Sequence, residues 1–148
     1  MKIAIVILNW NGIQLLKDYL PKVILYSPDA EIIVADNAST DGSVEFVRSE
    51  FPNVRLIINS ANEGFAKGYN LALKEVDADI FCLLNSDVEV TEGWLSPILQ
   101  FFEGHKEAAI VQPKILDLKD HGKFEYAGAG GGYLDALGYP FCRCRIFQ

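Results

Sequence analysis

Four short polar segments in this chain each follow an apolar run. They are Asn9-Trp10-Asn11-Gly12, Asp36-Asn37-Ala38-Ser39-Thr40-Asp41-Gly42-Ser43, Asn59-Ser60-Ala61-Asn62-Glu63-Gly64 and Asn85-Ser86-Asp87. Carboxylates and carboxamides supply hydrogen-bond donors and acceptors, and a carboxylate is a hard oxygen ligand for Mg2+ or Mn2+. Asn and Asp are also ordinary turn residues and helix caps, and Asn11, Asn62 and Asp41 fit that plainer use. Asp36 and Asp87 fit it less well, since each closes a strand-like run without being needed for a turn. A solvated rim would carry more Lys and Glu, yet Glu63 is the only one of these in the four segments. Neither a G-x-G-x-x-G turn nor a phosphate-loop G-x-x-x-x-G-K is present, so a nucleotide held here needs another way to neutralise its diphosphate. A divalent metal on Asp87 would provide it.

These segments need elements to position them. Apolar runs at Ile3 to Leu8, Glu31 to Ala35, Val54 to Ile58, Ile80 to Leu84 and Ala108 to Leu116 predict five strands. Helical spacing predicts helices over Ile13 to Tyr26, where Pro21 should kink or split the helix, from Asp41 to about Glu50, over Phe65 to Val76, and over Trp94 to Phe102. In the third, Phe65, Tyr69, Ala72, Leu73 and Val76 share an apolar face. The unbroken apolar fourth run suits a parallel strand covered on both sides. The alternation implies an open, mostly parallel α/β sheet with right-handed crossovers. Ligands on such sheets sit beyond the carboxyl ends of the strands, where the four polar segments lie. After Lys119 the pattern fades into the glycine-rich "GAGGGYLDALGYP", which reads as a long loop or a strand pair.

Composition narrows the function further. The chain has 148 residues, half of them hydrophobic, and a net charge of −7. That suits one globular domain and excludes general nucleic-acid binding, which needs a basic face. Cys82 reads as a core residue, and Cys142-x-Cys144 lacks the partners of a structural zinc site. His105 and His121 read as exposed loop residues. "MKIAIVIL" runs straight into a polar turn and reads as a core strand rather than a signal peptide. The cysteine usage suits a reduced, cytoplasmic setting, and a place peripheral to the inner face of the membrane is a further expectation.

In order and spacing, "VILNWNG" (Val6 to Gly12), "VADNASTDGS" (Val34 to Ser43), "NEGFAKGYN" (Asn62 to Asn70) and "LLNSDVEV" (Leu83 to Val90) resemble family 2 glycosyltransferases. The likeness is greatest to the rhamnosyltransferase-like branch and runs from residue 1 to about Lys119. It implies a GT-A (Rossmann-like) fold, an inverting transferase, a nucleotide-diphosphate-sugar donor and a divalent metal, Mn2+ or Mg2+. The acceptor it implies is a glycan or lipid-linked glycan, in polysaccharide or cell-surface glycan synthesis. By position, the resemblance places Leu8 and Asn11 at the nucleobase pocket and Asp36 as the acid that hydrogen-bonds the base. It places Asn62, Gly64 and Asn70 along the nucleotide. Asn85-Ser86-Asp87 falls at the family's D-x-D position, with Asp87 the metal ligand and Asn85 in place of the first acid. The acceptor half that normally follows is missing, so the chain reads as truncated after a core of about 1–119, with 120–148 opening an incomplete acceptor-side region. Asp117, Asp120, Glu125 and Asp135 stand in no recognisable base motif, so no catalytic base is assigned. The tail "YPFCRCRIF" suggests self-association. Two other functions stay open. One is a non-catalytic nucleotide-binding module of the same fold. The other is a sugar-nucleotide nucleotidyltransferase, which "NWNGIQ", lacking an arginine, disfavours.

Overall fold

The structure is a computed structural model that describes residues 1–123, 132–134, 136–137 and 140–142. The chain divides into two compact units, Met1–Trp94 and Leu95–Gln148.

In the first unit, β1 (Ile3–Asn9), α1 (Ile13–Tyr26), β2 (Glu31–Asp36), α2 (Ser43–Glu50), β3 (Arg55–Ile58), α3 (Gly64–Leu73) and β4 (Ile80–Asn85) alternate as the periodicity predicts. The four strands form one parallel sheet in the order β3-β2-β1-β4. The chain steps outward from β1 to β3, then returns past β1 to place β4 on its other side. Right-handed crossovers put α1 and α2 on one face and α3 on the other. The α3 face buries Ala4, Val6, Ile33, Ala35 and Ile57 against Tyr69, Ala72 and Val76. The opposite face carries Ile3, Ile5, Ile7 and Val34, while α1 and α2 bury Leu16, Leu20, Val23 and Val47. The reversal of direction lies between β1 and β4, where the register sets Leu8 beside Asn85.

Several expectations need correction. The fourth strand is not covered on both sides: β4 pairs only with β1 in this sheet, and Phe81 and Leu83 are 42% and 52% exposed. Their pleat side is that of Ala4 and Val6, but α3 packs mainly on β1 and β2 and leaves both side chains open. Phe65 is 64% exposed rather than core, because α3 meets the sheet only from Gly68 onward. The same helix ends at Leu73, and Val76 is buried through a following turn. Pro21 does not split α1, whose helical assignment is continuous through it. Pro21 sits on the exposed side, away from Leu20 and Val23.

The second unit contains α4 (Leu95–Gly104) and an antiparallel pair, β5 (Gly132–Leu134) with β6 (Pro140–Cys142), one of the two forms expected of the glycine-rich region. The expected fifth strand at Ala108 to Leu116 does not form, and only Leu116 takes part in a bridge. Ile110 is 88% exposed, and Pro113 removes a ladder donor. His105 stacks on Phe101 at the end of α4, and both His105 and His121 are exposed. Cys144 and most of the tail proposed for self-association lie outside the described residues. Among the described residues, no helix is long and apolar enough to cross a membrane.

Tyr69 ties α3 to β1 and to the edge strand β4. Its phenol donates to Leu84 O at 3.0 Å, and burial, opposed by a backbone hydrogen bond from Leu8, pushes its pKa up to about 12. Tyr69→Phe keeps the packing but leaves a buried carbonyl unpaired. We expect a loss of about 1–3 kcal/mol in urea denaturation with an unchanged m-value.

Candidate functional site at the carboxyl ends of the strands

The strand ends are built in two layers. The inner layer is buried and bonded to itself. Asn37 N donates to Asn9 O and Asn59 N to Asp36 O, each at 2.8 Å, so the parallel ladder continues one residue past the strands. Pleat alternation then sends the side chains to opposite faces. Asn9 and Asp36, partners in register, meet on the α1 side, where Asn9 Nδ2 donates to Asp36 Oδ2 at 2.9 Å and to Ser39 Oγ at 3.1 Å. Asn37 and Asn59 meet on the α3 side, where Asn59 Nδ2 donates to Asn37 Oδ1 at 2.7 Å.

Asp36 is 1% exposed. Its Oδ1 accepts from Ser39 N at 2.7 Å and its Oδ2 from Asn9, so this carboxylate faces its own loop and not an open pocket. Asn9 Oδ1 is buried without a hydrogen-bond partner and lies against Gly12. A Cβ at Gly12 would fall 2.6 Å from that oxygen, which accounts for glycine there.

The outer layer is exposed. Asn11, in the left-handed region with φ 51°, accepts from Thr40 N through Oδ1 at 2.8 Å, and its own N–H donates to Ser39 Oγ at 2.9 Å. The first and second strand-end loops are thereby locked together. Ala38 also has positive φ, at 60°, a strain of about 1–2 kcal/mol for a residue with a Cβ. Asn62 and Gly64 form the next turn, with Gly64 N donating to Asn62 Oδ1 at 3.0 Å. Asn85 and Asp87 are exposed at the end of β4, in a turn where Asn85 O accepts from Val88 N. Asn70 is exposed on α3 and joins none of these bonds. Leu8, half-buried, is the apolar member of the set and stands next to Asn85.

Asp41 has a structural role as well as the expected cap. Its Oδ1 accepts from Ser43 N and Oγ at the start of α2, and its Oδ2 accepts from Ile13 N, the first residue of α1, at 2.9 Å. Neither N-cap residue, Gly12 or Gly42, offers a side chain of its own, so one carboxylate serves two helices. Burial alone would raise the Asp41 carboxyl; the hydrogen bonds from Ser43 and Ile13 outweigh it and hold it below the usual range.

Metal-binding capacity is thin. Among the described residues, no three His, Cys, Asp or Glu side chains gather in a metal-binding group. Asp87 with the Asn85 amide oxygen fits a Mg2+-like site of one carboxylate, completed by phosphate oxygens and waters. It does not fit a cage made by protein alone. Asp117 and Asp120 in the second unit are turn makers. Asp117 Oδ1 accepts from Lys119 N and Asp120 N, each at 2.8 Å, and these bonds hold its carboxyl low; Asp120 pairs with Lys123. Glu125 and Asp135 lie outside the described side chains. A separate cleft of about 330 Å³ opens at the amino ends of β2 and β3, beside Glu31, Phe51 and Val54. Glu31 there is already ion-paired with Lys2 and Arg55.

The model of "Glycosyl transferase family 2" matches residues 4–127, and the chain belongs to that family. It is 37% identical over 83 residues to polypeptide N-acetylgalactosaminyltransferase 12 of Mus musculus, covering 56% of this chain and 14% of that protein. The chain spans 14% to 20% of the length of the first curated relatives it matches. Among solved structures, it resembles S. aureus TarS 1-349 in complex with UDP, with a TM-score of 0.64 and 18% identity, covering 79% of this chain and 40% of that one. It also resembles the mannosyltransferase PcManGT from Pyrobaculum calidifontis in complex with GDP-Man and Mn2+, with a TM-score of 0.65 and 19% identity, covering 82% and 37%. The fold is therefore GT-A.

The residues that sequence reasoning passed over are the inner amides Asn9, Asn37 and Asn59. The available signal was Gly68, a glycine inside a helix, which marks a close approach by another group.

Asp41 gives a pH test. Its lowered carboxyl adds stability at pH values above the unfolded pKa, and that stability is lost as pH falls through the folded pKa. Asp41→Asn should be less stable than wild type at neutral pH, by about 0.5–2 kcal/mol for a lost cap. The gap should close in denaturant titrations below about pH 4.

Proposed function

We propose that this chain forms the donor-binding part of an inverting, metal-dependent glycosyltransferase that uses a nucleotide-diphosphate sugar in polysaccharide or cell-surface glycan assembly. The observation that carries this reading is the topological reversal between β1 and β4. It sets Leu8 to Asn11 beside Asn85 to Asp87 at the position where open α/β sheets bind ligands. The solved complexes of similar fold with UDP, and with GDP-Man and Mn2+, support it. The Asn85-for-acid replacement supports a place in the rhamnosyltransferase-like branch.

Leu8 offers an apolar wall and Asn11 a fixed polar edge for the base. Asp36, buried beneath, holds the loop whose Ser39 hydroxyl accepts from Asn11 N. Asn62, Gly64 and Asn70 flank the nucleotide from the α3 side. Asp87, with the Asn85 amide oxygen, would hold the divalent metal. When bound, that metal supplies positive charge against the charge developing on the leaving diphosphate. The acceptor, a glycan or lipid-linked glycan, and the base that deprotonates it belong to groups beyond this rim.

The test is calorimetric titration with UDP, dTDP and GDP, with and without Mn2+. Asp87→Ala should weaken binding with Mn2+ by about tenfold or more, roughly 1.4 kcal/mol, and leave metal-free binding nearly unchanged. An equal loss under both conditions would remove the metal role.

A further inference from the structure

The inner amides on the α3 side make more contacts than burial alone requires. Asn37 is 2% exposed and Asn59 7%. Asn37 Nδ2 donates to Gly64 O at 3.0 Å and approaches Asn62 Oδ1 at 3.5 Å, while Asn37 Oδ1 accepts from Asn59. Asn59 Nδ2 also reaches Gly68 O at 3.3 Å. The orientation of Asn37 is fixed by these partners, since flipping the amide would set donor against donor and acceptor against acceptor.

Helix α3 has no side-chain cap of its own at Glu63. Its entry is held by the Asn37 amide, just past β2, and its second turn by Asn59, just past β3, through Gly68 O. Gly68 allows this. A Cβ there would fall 2.7 Å from Asn37 Nδ2 and 2.8 Å from Oδ1. A glycine inside a helix costs about 1 kcal/mol relative to alanine, and here the space it leaves is filled by that amide.

We propose that Asn37 is a positioning residue for the nucleotide site. Through Gly64 and Asn62 it sets where the exposed turn before α3 stands, with Asn59 and Gly68 completing the anchor. The inference rests on the donor-binding reading, because Asn62 and Gly64 are the nucleotide-flanking residues there. Asn37 itself is buried, so it would act on the nucleotide through the turn.

Asn37→Asp keeps the shape and the bond from Asn59 but replaces the two donors with an oxygen facing Gly64 O and Asn62 Oδ1. Two readouts follow. In native-state hydrogen exchange, amides of residues 62–67 should exchange about tenfold faster or more, while β1 and β2 amides keep their protection. In calorimetry, affinity for UDP or GDP should fall about tenfold or more. Val47→Ala, a core change in α2, is the control for lost stability and should leave that affinity unchanged. Gly68→Ala, which pushes on the same amide from the helix side, should repeat both effects and carries the test if Asn37→Asp does not fold. Unchanged exchange over residues 62–67, or an equal affinity loss in Val47→Ala, would overturn the positioning role. Failure of the wild-type chain to bind any nucleotide would sink the donor-binding reading and, with it, the link of Asn37 to a nucleotide. The exchange result would still decide whether Asn37 anchors the turn.

Discussion

Four parallel strands end side by side, and at three of them the last polar groups (Asn9, Asp36, Asn37 and Asn59) are out of reach of water. A buried amide or carboxylate without partners costs several kcal/mol, roughly the whole margin of a small domain. The structure meets this constraint by bonding strand ends to one another. Asn9 meets Asp36 on one face of the sheet, and Asn37 meets Asn59 on the other. Backbone bonds from Asn37 to Asn9 and from Asn59 to Asp36 carry the ladder between them. The loops that carry Asn11, Asn62 and Gly64 are mounted on this inner layer.

The division of labour follows. Inner amides and Asp36 spend their hydrogen bonds on the protein, while Asn11, Asn62, Asn85 and Asp87 stand outside with capacity for a ligand. Asp41 adds a second point of fixation by serving the starts of α1 and α2 together, which locks the first two loops. A rim prepared in this way loses little conformational freedom on binding. It also carries an acid at the end of β4 in a protein of net charge −7. An anionic diphosphate there calls for a counter-cation, which is why the metal and Asp87 enter the proposed function together.

Much of the first unit was legible in the sequence. Its four strands and three helices alternate clearly, and the strand ends had to face one way in a parallel sheet. Asp41 was legible as a cap, although its bond to Ile13 was not, because that bond crosses 28 positions. The apolar run of β4 did not reveal that Phe81 and Leu83 lie open, since hydropathy reports a preference for burial and not the presence of a cover. Ala108 to Leu116 has strand-like composition, yet a strand needs a partner edge, which local sequence does not specify. The hardest distinction was among the asparagines. Asn9, Asn37 and Asn59 read like Asn11, Asn62 and Asn85, and only the pleat and the approach of α3 separate the buried set from the exposed set. The partners of Asp36, Ser39 N and Asn9 Nδ2, were likewise hidden, since the second lies 27 positions away.

The account's central claim is that the rim beside the β1–β4 reversal is where a nucleotide binds. Backbone amide shifts of the labelled chain, followed by NMR during titration with UDP or GDP in the presence of Mg2+, test it directly. The account predicts the largest shifts at Leu8 to Asn11, Asn62 to Gly64 and Asn85 to Asp87. Shifts gathered instead around Glu31, Phe51 and Val54, at the opposite end of the sheet, or none at saturating nucleotide, would contradict it.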